Sequence, residues 1–159
     1  MLDASQLIRE ELIFPNLEAQ DNLDAVGQLA DQLKARGFVR DTFKAAVLKR
    51  EQIYPSGLPM PGHKIAIPHT DAEHVIAPTI AFARLTRPVP WHVMGDPSES
   101  MDVQLVSMFA LNDPKEVSTF LVQLITVYQD SEILGKLLKA SSTREIMDTL
   151  KAAMAAQQN

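Results

Sequence analysis

Apolar residues recur at helical spacing towards both ends of the chain and gather into short runs in its middle. In DNLDAVGQLADQLKARG (21–37), Leu23, Val26, Ala30 and Leu33 share one face. Asp21 or Asn22 can cap this helix and Gly37 suits its stop. A second helix is predicted from about Asp41, with Phe43, Ala46 and Val47 on its inner stripe. Ahead of both, LIF (12–14) reads as a short strand. KIAI (64–67), PTIAFARL (78–85) and DVQLVSMFAL (102–111) are apolar runs bounded by Pro, Gly, Asp or Asn, the pattern of strands. VPWH (89–92) adds a short edge strand, and GDPSES reads as the loop after it. Beyond Leu111 the pattern is helical again. Asp113 caps and Pro114 takes the first position of a helix whose Val117, Phe120, Leu121, Leu124, Ile125 and Tyr128 face inward. Another helix starts at Ser131, and Ser142 with Glu145 stands at capping-box spacing before a last one. The closing AAQQN reads as a fraying tail.

Helices at both ends of a strand-rich middle imply a central sheet covered on two faces. The expected fold is therefore α/β, a three-layer α/β/α sandwich around a mixed sheet. A length of 159 residues suits one domain, 1–159, with a single core.

Composition mainly excludes. No apolar run reaches the length of a membrane span, and MLDASQLIREELIFPNL lacks the basic and apolar regions of a signal peptide. A mature, soluble, cytoplasmic chain is expected. The 15 basic and 20 acidic residues form no basic run, so no nucleic-acid partner is expected. The absence of cysteine removes disulfides, thiolate zinc sites and thiol chemistry together. With neither a Walker A loop nor GxGxxG, no nucleotide cofactor is implied.

Candidate chemistry concentrates in GHKIAIPHTDAEHV (62–75), which holds three of the four histidines. Pro68 cannot donate to a sheet ladder and must end the strand, leaving His69 at its terminus. Thr70 and Glu73 stand at capping-box spacing, predicting a helical turn over 71–76 whose free N–H groups face His69. A histidine in this setting is either functional or a hydrogen-bonded structural residue. Zinc fits poorly: the spacing of His63, His69 and His74 is no standard ligand pattern, and His63 and His69 lie roughly 20 Å apart along an extended strand. Arg50, seven positions after Phe43 on the inward stripe, either snorkels past the core edge or meets an anion. A neutral imidazole is a competent nucleophile near neutral pH, and a guanidinium beside it suits a phosphoryl group.

GHKIAIPH, with LKRE (48–51) upstream, resembles the enzyme IIA domains of the bacterial sugar phosphotransferase system, fructose–mannitol class. The resemblance covers nearly the whole chain. It implies that His69 accepts phosphate from the carrier HPr and passes it to a cysteine of a IIB component, with Arg50 as the site arginine. Having no cysteine, the chain would act in trans with IIB and a membrane IIC component. His63 and His74 match stand-alone galactitol-type subunits most closely. NDPKEVSTFL (112–121) lacks the second histidine of mannitol-type and nitrogen-regulatory members. Thr70, next to His69, is expected to help Arg50 stabilise phosphate. His74 is either an assistant, one turn from His69, or a solvated residue, while His63 and His92 are expected to be structural. Leu58, Met60 and Pro61 are the expected apolar docking rim. The same histidine would also serve a regulatory IIA-like protein that controls a transcription factor, kinase or transporter.

Overall fold

The computed structural model describes residues 2–157, so the last two residues of the expected tail lie outside it. Four strands, β1 (Ile8–Leu17), β2 (Ile65–Ala66), β3 (Thr79–Val93) and β4 (Asp96–Ala110), form one sheet in the order β1-β3-β4-β2. β1 runs parallel to β3, and β2 parallel to β4, while β3 and β4 pair antiparallel, so the sheet is mixed as expected.

Among the described residues five α-helices cover it: α1 (Asn22–Ala35), α2 (Phe43–Ile53), α3 (Pro114–Tyr128), α4 (Ser131–Lys139) and α5 (Thr143–Ala156). Alternation along the strands splits the core in two. Ala66, Ala81, Ala83, Val106 and Met108 pack with Leu29, Leu33, Phe43 and Val47 of α1 and α2. Ile65, Ile67, Ile80, Phe82, Leu105 and Phe109 pack with the apolar stripes of α3, α4 and α5. Two helical layers thus enclose the sheet.

Several helix ends behave as their sequences imply. The Asp21 side chain accepts from Asp24 N, Asp113 from Lys115 N and Ser142 from Glu145 N. Gly37 adopts φ +80° after α1, and Phe38 N–H bonds the Leu33 carbonyl, closing the helix. Thr42 precedes α2 without a side-chain cap.

The strands depart from expectation in three places. β1 is ten residues long and extends on both sides of LIF. VPWH is no separate strand but the continuation of β3, beyond the stretch paired with β1, with Trp91 fully buried and paired with Met101. GDPSES is no loop: only Met94 and Gly95 turn, and β4 begins at Asp96, opposite Val93. Gly95 supplies the positive φ, +83°, that such a tight hairpin requires.

Candidate phosphoryl-transfer site

β2 delivers the site. Ile65 and Ile67 point to the α3–α5 face and Ala66 to the other, so His69, two residues beyond Ile67, projects on the α3 side. There its imidazole stacks on Phe109 of β4, with ring centroids 4.4 Å apart and planes at 19°. The Phe109 N–H donates to the Pro68 carbonyl (3.2 Å), tying the chain before His69 to the same strand. His69 Nδ1 lies 2.8 Å from the Ile67 carbonyl oxygen. A carbonyl only accepts, so Nδ1 carries the proton and Nε2 keeps the lone pair. Burial pushes the imidazole pKa below its ordinary value, and Arg50 adds to this; the Ile67 carbonyl and Asp71 oppose it. The ring is held neutral with one nucleophilic nitrogen.

His69 opens on a cavity of about 650 Å³ that Arg50, Thr70 and Asp71 also line. Arg50 stands in the last turn of α2, where its guanidinium lies 5.4 Å over the Tyr54 ring and 4.0 Å from Asp71 Oδ1. With 37% and 73% of these two side chains exposed, the ion pair is weak and leaves the guanidinium free to meet an incoming anion. Thr70 is buried beside His69 but caps nothing. The turn after it is a three-residue 3-10 stretch, Ala72–His74, whose cap is Asp71 without a side-chain bond. The expected capping box and the helix start aimed at His69 are therefore replaced by a turn too short to form an anion-binding helix terminus.

The three clustered histidines do not converge. His74 turns its Nδ1 to Thr42 Oγ1 (2.8 Å) and its Nε2 towards Glu73 (3.7 Å), and it does not line the cavity. His63 packs beside Gly135 of α4. His92 is exposed at the far end of β3, opposite Ser100.

The segment lacking a second histidine does reach the cavity, through Asn112, Pro114, Val117 and Ser118. The docking rim also differs. Leu58 is 1% exposed, because residues 56–58 run alongside β2, with Leu58 N–H on the Ile65 carbonyl and Ile67 N–H on the Ser56 carbonyl. Met60 is half-buried against the core. Among the described residues the large exposed apolar ones are instead Ile53, Tyr54, Ile76 and Val122. Tyr54 is the residue beneath the Arg50 guanidinium, and Val122 lies one helical turn beyond Ser118. Phe109 was missed by sequence reasoning, because it resembles any alternating core residue.

The galactitol-specific EIIA component of Escherichia coli K12 is 27% identical over 124 residues, covering 78% of this chain and 82% of its own. Mannitol enzyme IIA of Escherichia coli, solved in complex with phosphorylated enzyme IIB, superposes with a TM-score of 0.72 at 23% identity, over 89% of this chain and 95% of that one. Nitrogen regulatory protein IIA-Ntr of Neisseria meningitidis gives 0.70 at 20% identity, over 92% and 97%. These two structures share the fold. Residues 6–153 match the family model for the phosphoenolpyruvate-dependent sugar phosphotransferase system, EIIA 2. Across nearly its whole length, then, the chain belongs to the EIIA 2 family, phosphotransferase components that carry phosphate on a histidine.

Proposed function

We propose that the chain is the phosphocarrier subunit of a sugar or polyol permease, with His69 as the phosphorylated residue. The carrying observation is the Ile67 carbonyl on His69 Nδ1, which leaves Nε2 as the nucleophile beside Arg50 and Thr70. The donor is phospho-HPr. His69 Nε2 attacks the phosphorus, the bond to the donor nitrogen breaks, and its electron pair returns to the donor ring. Positive charge gathers on the His69 ring, where the Ile67 carbonyl supports it through the retained Nδ1 proton. Arg50 draws the equatorial oxygens and Thr70 offers a hydroxyl, the positioning and charge stabilisation that phosphoryl transfer chiefly needs.

The phosphate then passes to a cysteine of a IIB component. The chain contains no cysteine, so that acceptor lies outside residues 1–159. A galactitol-like polyol is the proposed cargo, supported by the 27% identity to galactitol-specific EIIA. IIB and HPr dock on the rim of Tyr54, Ile76 and Val122. His74, bound to Thr42, has no part in the transfer.

Incubation with phospho-HPr is expected to label the chain with acid-labile phosphate, and galactitol IIB is expected to chase that label. His69→Ala should accept none. Equal labelling of the variant would overturn the assignment.

A further inference from the structure

Next to Arg50 in the chain stands a carboxylate that none of these steps uses. Glu51 follows Arg50 on α2 and is only 4% exposed, and among the described residues no lysine or arginine pairs with it. Three donors converge on it instead. Ser56 N–H (2.8 Å) and Trp91 Nε1–H (3.1 Å) reach Oε2, and the Ser56 hydroxyl (2.5 Å) reaches Oε1. Burial raises the carboxyl pKa, and bonds from Ser56 and Trp91 oppose the rise. A buried carboxylate is a costly way to fill space when an apolar side chain would serve.

The bonds lead to the reactive ring. Ser56, gripped by Glu51 through both its backbone and its hydroxyl, accepts from Ile67 N–H at 3.0 Å. The Ile67 carbonyl, on the other side of that residue, accepts from His69 Nδ1 at 2.8 Å. Gly57 lets the segment lie this close. A Cβ there would stand 2.6 Å from the His92 carbonyl oxygen, and its own N–H and carbonyl bond to His92 and Met94. Residues 56–58 are thus clamped between β2 and the end of β3. The same carboxylate anchors the helical turn that carries Arg50, whose carbonyl accepts from Tyr54 N–H.

We infer that Glu51 is a positioning residue for phosphoryl transfer: it fixes Ser56, and through it the Ile67 carbonyl that holds His69 protonated at Nδ1 and bare at Nε2. The inference rests on His69 being the acceptor. Glu51 touches neither phosphate nor the reacting nitrogen. It acts by keeping the ring in the one tautomer and direction in which Nε2 can attack.

The test uses the full chain and reads the imidazole itself. Long-range 1H–15N spectra of the wild type are expected to show His69 protonated at Nδ1 only. Glu51→Gln keeps the size but turns one acceptor oxygen into a donor facing N–H and O–H groups. A second tautomer, protonated at Nε2, should then appear, and the maximal transfer rate from phospho-HPr should fall about 10- to 100-fold, with the KM for the donor little changed. Ser56→Ala removes the hydroxyl bond to Glu51 and keeps the backbone one. It should show a smaller change of the same kind, and it carries the test alone if Glu51→Gln does not fold. Leu150→Ala, in the core under α5, should lose stability while His69 keeps its wild-type spectrum.

A wild-type ring protonated at Nε2 overturns the inference. So do variants that lose stability while keeping a pure Nδ1–H ring and the wild-type rate per folded molecule. If His69→Ala still accepts phosphate, the acceptor assignment is what fails, whether or not the tautomer responds to Glu51.

Discussion

Replacing Phe109 by leucine separates the ring stack from everything else that holds His69. The backbone bond from Phe109 N–H to the Pro68 carbonyl survives, and leucine keeps most of the apolar volume at a position 1% exposed. What is lost are two ring contacts, the stack on His69 at 4.4 Å and the tilted contact with Phe120 at 5.3 Å. Each such pair is worth about 0.5–1.5 kcal/mol beyond its buried area, so together the loss is about 1–3 kcal/mol. For a domain of this size each kcal/mol moves the melting temperature by about 2–4 °C. Urea titration with an unchanged m-value would measure the loss directly. The ring of His69, freed on one side, should also take up phosphate from phospho-HPr about tenfold more slowly, since a misdirected nucleophile is penalised in rate. A variant within about 0.5 kcal/mol of the wild type that transfers at the wild-type rate would refute the stack as a support of the site.

Other substitutions probe other links. His69 has a pKa lowered by burial, so above about pH 6.5 it costs the fold nothing. As pH falls through that value the unfolded chain takes up a proton that folded His69 resists, and stability drops until the lower folded pKa is passed. Wild type should therefore lose more of its urea midpoint between about pH 7.5 and 5.5 than His69→Gln does; equal losses would contradict a buried neutral ring. Arg84 donates from Nε to the Pro15 carbonyl and from Nη1 to the Leu137, Leu138 and Ala140 carbonyls, joining β1 to the end of α4. Arg84→Met should cost about 2–4 kcal/mol in urea unfolding by stranding those acceptors; a loss under 1 kcal/mol would mean that water replaces it. Val122, 62% exposed one turn beyond the cavity-lining Ser118, should tolerate glutamate with no change in melting temperature. Transfer from phospho-HPr should nevertheless slow about tenfold, because a charge is buried on docking; an unchanged rate would remove α3 from the docking surface.

Local signals in the sequence were sufficient for the helices and for the strand that ends at Pro68. Asp21, Asp113 and Ser142 cap as their spacing implies, and apolar periodicity locates the stripes of α1 and α3. The α/β sandwich follows from those elements. The β3–β4 hairpin was hidden because Pro88, Pro90 and the polar GDPSES resemble breakers, yet long cross-strand pairing from Val89 to Val93 outweighs them. Thr70 failed as a cap because the turn beyond it stops after three residues. Leu58 was placed on the surface since nothing local shows that residues 56–58 lie against β2. The least legible features are those made by residues far apart in the chain. Phe109 meets His69 across 40 positions, and Glu51 meets Trp91 across the same separation. Such contacts leave no periodicity to read. The position of His69 just past a strand was legible because a single proline fixed where that strand ends, whereas the means of holding its ring were not.

The central claim is that His69 receives phosphate on Nε2 because Ile67 occupies Nδ1. It is tested most directly by phosphorylating the 15N-histidine-labelled chain with phospho-HPr and identifying the phosphorus-coupled nitrogen by NMR. Coupling to Nε2 of His69, with Nδ1 still protonated, is the predicted result. Phosphate on Nδ1, or on His63, His74 or His92, would contradict the account.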